Sequence, residues 1–384
     1  MQGNPVLLLT RQNQVGVALP ILKIFRQLNR NVMIGLLEGP RRGSKKHLSF
    51  SESSTFSDLE LLQSLGRVFF FAPGKDLPRL PTSPVYFSFN SPETFMRGVT
   101  FPAGSWVQVQ NGGGDLLISL MRSRRRPDQL LLWGEGWVSG DIAEDPEVLP
   151  GLRDAASWAA SHCWKTLGDV RVPEAMSDRQ FSARPRHVHY FEPNILSRKA
   201  SKLFDCIEVS RLKMKKRDEI GEIQNSVANL AFALSDRNYS LGYRSRQKTL
   251  SAPLGQSDFA AGLDDSHQAS SESIMRSQAI VSFLPSTSAL EAVRYGAKSF
   301  QLSTLPLLEP FTENAITPNY AMYRSLRAHI PNHIIDIEGI SAEEALERME
   351  QTPTGDAESH VERWSAMRVD RLGVIDESLW HGSL

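Results

Sequence analysis

Residues 282–303 read SFLPSTSALEAVRYGAKSFQLS, and they set three small hydroxyl residues, Ser286, Thr287 and Ser288, between an apolar run and a helical segment. Small residues at such a turn let an anion approach the backbone closely. Their hydroxyls donate, and the N–H groups of the helix start carry a partial positive charge. Pro285 stops the apolar run from pairing further. The chemistry suits a diphosphate held without a metal. The same residues also fit a capping box, because Ser288-Ala289-Leu290-Glu291 places a glutamate three residues after a serine. On the residues alone both readings stand.

Other side chains offer complementary chemistry. LGYRSRQK, residues 241–248, runs off the end of an expected strand, and Arg244, Arg246 and Lys248 suit a charge-assisted clamp on a diphosphate. A solvated basic loop is the alternative for this segment. WGEGW, residues 133–137, sets Glu135 between glycines after a strand, with Asp141 close behind, as a carboxylate pair aimed at a crevice. A turn in which glycines let two tryptophans pack explains WGEGW equally well. His187 and His189 alternate on one expected strand and read more readily as structural than as bases, with His47 a third option in a basic loop. Gly16, in the turn QNQVG, permits close approach at a helix start.

These residues need elements to hold them. Residues 5–10 (PVLLLT) form a continuous apolar run of the kind a parallel strand buried on both faces shows, and 17–28 carries helical spacing. Strands are expected at 32–37, 68–71, 85–89 and 130–133, with helices at 59–65, 116–124 and 152–164. A strandless stretch then reaches about residue 186. Strands follow at 187–191, 239–243, 279–284, 299–302 and 333–337, with helices at 223–234, 342–349 and 361–369. The polar stretches 39–57 and 251–273 read as loops. This alternation predicts an α/β chain with doubly wound parallel sheets. The boundaries are an N-terminal Rossmann-like domain over 1–165, a linker over 166–186, a C-terminal Rossmann-like domain over 187–350, and helices over 351–384 that pack back across the domains.

Composition narrows the class. Lysine plus arginine and aspartate plus glutamate number 43 each among 384 residues, so no global field draws the chain to nucleic acid. The runs Arg122–Arg126 and Arg211–Arg217 read as solvated helix faces, and no aromatic interleaving supports nucleic-acid binding. Two cysteines, Cys163 and Cys206, give neither a disulfide framework nor a ligand cluster. The N-terminal segment lacks a leader pattern, and no run of about 18 apolar residues exists. A cytoplasmic protein is expected, with peripheral contact at the inner face of a membrane left open.

The segment AIVSFLPSTSALEAVRYGAKSFQL, with its Ser/Thr turn, its Glu-Ala helix and its Gly296 turn into the next strand, resembles the donor-binding element of GT-B fold glycosyltransferases. The nearest in flavour are capsule, teichoic-acid, sialyl and Kdo transferases, with nucleotide-sugar epimerases in the same superfamily. The likeness covers residues 277–303. Ala297-Lys298 stands where the family often has a proline, and the His-Pro motif of sialyl and capsule transferases is absent. The resemblance implies two facing Rossmann-like domains with an interdomain cleft, the donor on the C-terminal side and the acceptor on the N-terminal side. Ser286, Thr287 and Ser288 would meet the donor phosphates and Glu291 the ribose. The expected activity is metal-independent transfer of a sugar from a nucleotide-sugar co-substrate to a carbohydrate or lipid-linked acceptor, with no resident cofactor. A nucleotide-sugar epimerase or hydrolase, or a non-catalytic scaffold of the same fold, stays open beside it.

Overall fold

The computed structural model describes residues 3–10, 14–37, 56–71, 83–89, 104–123, 125–146, 148–171, 186–191, 225–244, 263–264, 270–283, 287–302, 318–337, 340–351 and 357–380. They form two compact units. One comprises Met1–Glu144, Pro150–Ser177 and Ser365–Leu384, the other Asp145–Leu149 and Asp178–Trp364.

The first unit holds a sheet of seven parallel strands: β1 (Asn4–Leu9), β2 (Met33–Leu37), β3 (Arg67–Phe71), β4 (Pro84–Ser88), β5 (Ser105–Val109), β6 (Gln129–Leu132) and β7 (Trp164–Thr166). Their order is β3-β2-β1-β4-β5-β6-β7. The apolar run of β1 is explained by burial on both faces. Leu7 and Leu9 join Ala18, Ile21 and Phe25 of helix α1 (Val15–Gln27), whereas Val6 and Leu8 join Tyr86 and Trp106 on the other side. Tyr86 stacks on Trp106 with centroids 5.7 Å apart, and burial pushes its phenol pKa up to about 12 against the lowering pull of Arg125.

Helices α2 (Phe56–Leu65), α3 (Asp115–Arg122), a short α4 (Gly140–Ala143) and α5 (Pro150–Ser161) complete the crossovers. Helix α12 (Arg371–Trp380) packs on α1, and its Ile375 and Leu379 are fully buried in the same cluster.

The second unit repeats the pattern. Strands β8 (His187–Phe191), β9 (Ser240–Arg244), β10 (Leu263–Asp264), β11 (Ala279–Phe283), β12 (Lys298–Leu302) and β13 (Ile334–Asp336) are parallel in the order β10-β9-β8-β11-β12-β13. One face carries Val188, Tyr190, Val281 and Phe300. It packs on α6, residues 225–236, and on α10 (Ala342–Glu350) through Leu230, Leu234, Leu346 and Met349. Helices α7 (Ser270–Arg276), α8 (Thr287–Arg294), α9 (Pro318–His329) and α11 (Ala357–Trp364) make up the rest. The second sheet has the 3-2-1-4-5-6 order of a doubly wound fold and the first extends that order by a seventh strand, so each has a switch point where crossovers leave in opposite directions, between β1 and β4 and between β8 and β11.

Several sequence expectations are corrected. Helix α5 ends at Ser161, where the Ser161 hydroxyl and the His162 ring bond the Trp158 carbonyl, and Trp164 opens β7 because β6 offers it a free edge at Leu130. The stretch before residue 186 is therefore not strandless. Within 251–273, residues 263–264 form β10 and α7 starts at Ser270. The helix expected at 361–369 stops at Trp364, since the chain turns so that the Ala366 N–H bonds the Trp133 carbonyl at 2.8 Å.

Candidate functional site

In an open parallel sheet, ligands gather at the carboxyl ends of the strands beside the switch point. In the second unit, α8 begins at that edge with Thr287, the first described residue after β11. Ser288 is half-buried inside its first turn. The helix thus starts two residues ahead of the capping-box register, in which Ser288 would be the cap and Ala289 the first helical residue. Ser286 lies outside the described residues. Glu291, expected to reach a ribose, is only 7 % exposed, in a helix whose residues 289–294 are all buried.

Arg244 is the last residue of β9 and pairs with Phe191, which in turn lies against the end of β11, with Tyr190 opposite Val281 and Phe191 opposite Ser282. Two strand spacings, about 10 Å, therefore separate the Arg244 backbone from the end of β11 along one edge. Arg246 and Lys248 lie outside the described residues.

Across β11 and β12 runs a buried polar strip that the sequence pattern did not single out. The Gln301 amide donates to the Ser282 hydroxyl at 2.6 Å and also to the Ser299 hydroxyl, and all three residues are at most 2 % exposed. A buried amide paired in this way ties the end of β11 to β12 and fixes where α8 departs. The signal was a glutamine inside the apolar strand SFQL. Farther down the same face, His189 is 2 % exposed, and its Nδ1 lies 3.4 Å from His187 Nε2; the His187 Nδ1 sits 2.8 Å from the Ser240 hydroxyl. Gly242 makes room for this pair, because a Cβ there would come within 2.2 Å of His189 Nδ1.

At the carboxyl edge of the first unit, α1 starts at Val15 with Gln14 before it. The buried Gln14 side-chain oxygen accepts from the Thr10 N–H at 2.7 Å. Gly16 is exposed, and a Cβ on it would meet nothing within 4 Å. Farther along the sheet, the fully buried Gln110 holds two turns together. Its amide donates to the Gly113 carbonyl at 2.7 Å, its side-chain oxygen accepts from the Trp133 N–H at 2.7 Å, and its own carbonyl accepts from the Trp133 indole at 3.1 Å.

Trp133 leads into a 3-10 turn, Glu135–Val138, in which Trp137 is fully buried and Glu135 is exposed. The glycines thus pack both tryptophans and leave the carboxylate outward. Asp141 stands in the first turn of α4 and accepts from the Ser139 hydroxyl at 3.3 Å. The Arg171 guanidinium lies 4.7 Å over the Trp133 ring, with its Nε 2.9 Å from an oxygen of the buried Asp169. Gln110, Asp169 and Arg171 also carry no sequence signature of a site. A glutamine ahead of three glycines was the available signal for the first.

Two further pKa shifts lie at the amino edge of the second sheet, away from these turns. The Lys298 ammonium, lowered by burial, donates to the Arg348 carbonyl at 3.3 Å and to those of Met349 and Gln351, closing the C-terminus of α10. His333 is lowered by burial first and then by the Lys298 charge. Among the described residues no group of three or more His, Cys, Asp or Glu is placed to hold a metal ion. No helix among them is long and apolar enough to cross a membrane.

No protein-family model matches the chain, and no curated protein does. Solved structures match over its whole length. Arabidopsis thaliana UGT89C1 complexed with UDP aligns with TM-score 0.52 at 10 % identity, covering 100 % of both chains. TcCGT1 in complex with UDP gives 0.46 at 10 %, again over 100 % of both. Acinetobacter baumannii MurG gives 0.40 at 9 %, over 98 % of this chain and 99 % of its own. The chain therefore has the GT-B fold, an α/β architecture of two Rossmann-like units.

Proposed function

We propose that the protein is a glycosyltransferase that moves a sugar from a nucleotide-sugar donor to a carbohydrate or lipid-linked acceptor without a metal. The observation that carries this reading is α8, which starts with Thr287 at the switch point of the second sheet while Arg244 ends a strand of the same edge. The chain-long likeness to a UDP-bound GT-B structure supports it. In this reading the α8 amides and the hydroxyls of Ser286, Thr287 and Ser288 meet the diphosphate, and Arg244, with Arg246 and Lys248, offsets the charge that develops as it leaves. The bond between the anomeric carbon and the diphosphate oxygen breaks and one to the acceptor oxygen forms. Glu135, or Asp141 beside it, takes the acceptor proton. Glu291, only 7 % exposed, is the residue for the ribose contact in this reading.

The test is calorimetry and thermal unfolding with UDP, CMP, CDP, GDP and their sugars, on the wild type and on a Ser286→Ala/Thr287→Ala/Ser288→Ala variant. One nucleotide at about 100 times its Kd should stabilise the wild type by about 2.7 kcal/mol, and the variant should lose most of that. No stabilisation by any nucleotide in the folded wild type would overturn the reading.

A further inference from the structure

We infer that the second unit carries a binding site for a neutral sugar ring, separate from the α8 edge, between α6 and the start of α10. A cavity of about 300 Å³ opens there, at the lower end of the roughly 300–1,000 Å³ that ligand pockets span. Its walls combine three kinds of group. Phe232 of α6 is 70 % exposed, the most exposed large apolar side chain among the described residues, and it borders the cavity together with Ile340. Ser226 and Asn229 lie on the same helix at the spacing that puts residues on one face, and Glu343 faces them from α10.

A lone exposed phenylalanine on a convex surface would need no explanation. This one stands on the wall of a concavity, next to an amide, a hydroxyl and a carboxylate. A pyranose ring has apolar C–H faces and a girdle of hydroxyls that both donate and accept, so it matches a ring face beside polar groups. Asn229 donates and accepts, Ser226 does the same, and Glu343 only accepts.

Charge narrows the class further. The first turn of α10 carries Glu343 and Glu344, and one of its amides is already served by the Ser341 hydroxyl, which accepts from the Glu344 N–H at 3.1 Å. The Glu344 carboxylate is taken up by Arg348 at 2.6 Å, whereas the Glu343 carboxylate on the cavity wall outweighs the half-charge of a helix start. Nucleotides and phosphorylated sugars are therefore disfavoured here, opposite to the α8 edge with its arginine. The site does not depend on the transferase reading, since it shares no residue with the α8 edge.

The test is saturation-transfer NMR on the full chain with glucose, galactose, mannose, N-acetylglucosamine and their β1,4-linked disaccharides, on the wild type, Phe232→Ala and Asn229→Ala. Both positions are exposed, so folding should be unchanged, which thermal unfolding checks. At least one sugar should saturate in the wild type and weaken at least tenfold in both variants. UDP binding, measured on the same samples, should be equal in all three. Saturation that survives both substitutions, saturation by tetramethylammonium in place of the sugars, or none by any sugar overturns the site. A protein that binds these sugars but no nucleotide would sink the transferase reading and leave this site standing.

Discussion

Gly242→Ala probes how rigidly the histidine row of the second sheet is held. The added Cβ would sit 2.2 Å from His189 Nδ1, 2.7 Å from its Cε1 and 2.8 Å from His187 Nε2. Ordinary contact begins near 3.4 Å, so a ring must retreat by more than 1 Å. His189 has little room to do so. It is 2 % exposed, with the Phe191 ring 5.2 Å away along the same strand. Overpacking of this kind costs about 1–3 kcal/mol, and the hemmed-in ring argues for the upper end. For a unit of this size about 3 kcal/mol corresponds to a Tm lowered by about 6–12 °C. Scanning calorimetry of the full chain should show one transition shifted and the other unmoved. Adding His189→Ala should return part of the loss, with a coupling energy above about 1 kcal/mol in a double-mutant cycle. A Gly242→Ala protein within about 0.5 kcal/mol of the wild type would defeat the packing argument, because the row would then be free to rearrange.

Two further outcomes follow from the same structure. Gly16→Ala should stabilise the first unit by about 0.5–1 kcal/mol, because the new methyl meets nothing within 4 Å and alanine suits a helix better; a loss of stability in urea unfolding would count against an open helix start. For His333 the folded-state pKa is lowered, so between that value and the unfolded 6.5 the unfolded chain binds more protons. Stability of the second unit should therefore be full above pH 6.5 and fall on acidification through that window, whereas His333→Asn should flatten the Tm–pH slope there. An unchanged slope in the variant would assign the acid sensitivity to other groups.

Much of the architecture is legible in the sequence, for a physical reason. PVLLLT, HVHYF and AIVSFL are runs that only a sheet covered on both faces accommodates, and each is a central strand. What escaped were elements whose pattern mixes polar and apolar residues. Strand β5, SWVQV, carries a glutamine that is fully buried, and α9, PNYAMYRSLRAH, scatters its buried Ala321, Met322 and Leu326 among arginines, a serine and an asparagine. Candidate site residues divide the same way. The hydroxyl residues at the start of α8 and Glu135 announce themselves by residue type and by the strand ahead of them. Gln110, Gln301 and the Asp169–Arg171 pair act through partners 19 to 23 residues away or through ring stacking, which spacing along the chain does not reveal.

The return of residues 365–384 to the first unit bears on how the chain acquires its shape during synthesis. Ile375 and Leu379 sit in the core with α1, and the Gly3 N–H bonds the Leu379 carbonyl at 2.9 Å. All of Asp178–Trp364 must be translated before that core can close, an interval of about 10–40 s at roughly 5–20 residues per second. The unit made first is thus completed last. Until α12 emerges, its apolar face on α1 waits uncovered at the ribosome, so a stalled or truncated message would leave the amino-terminal half as the part that chaperones and proteases recognise.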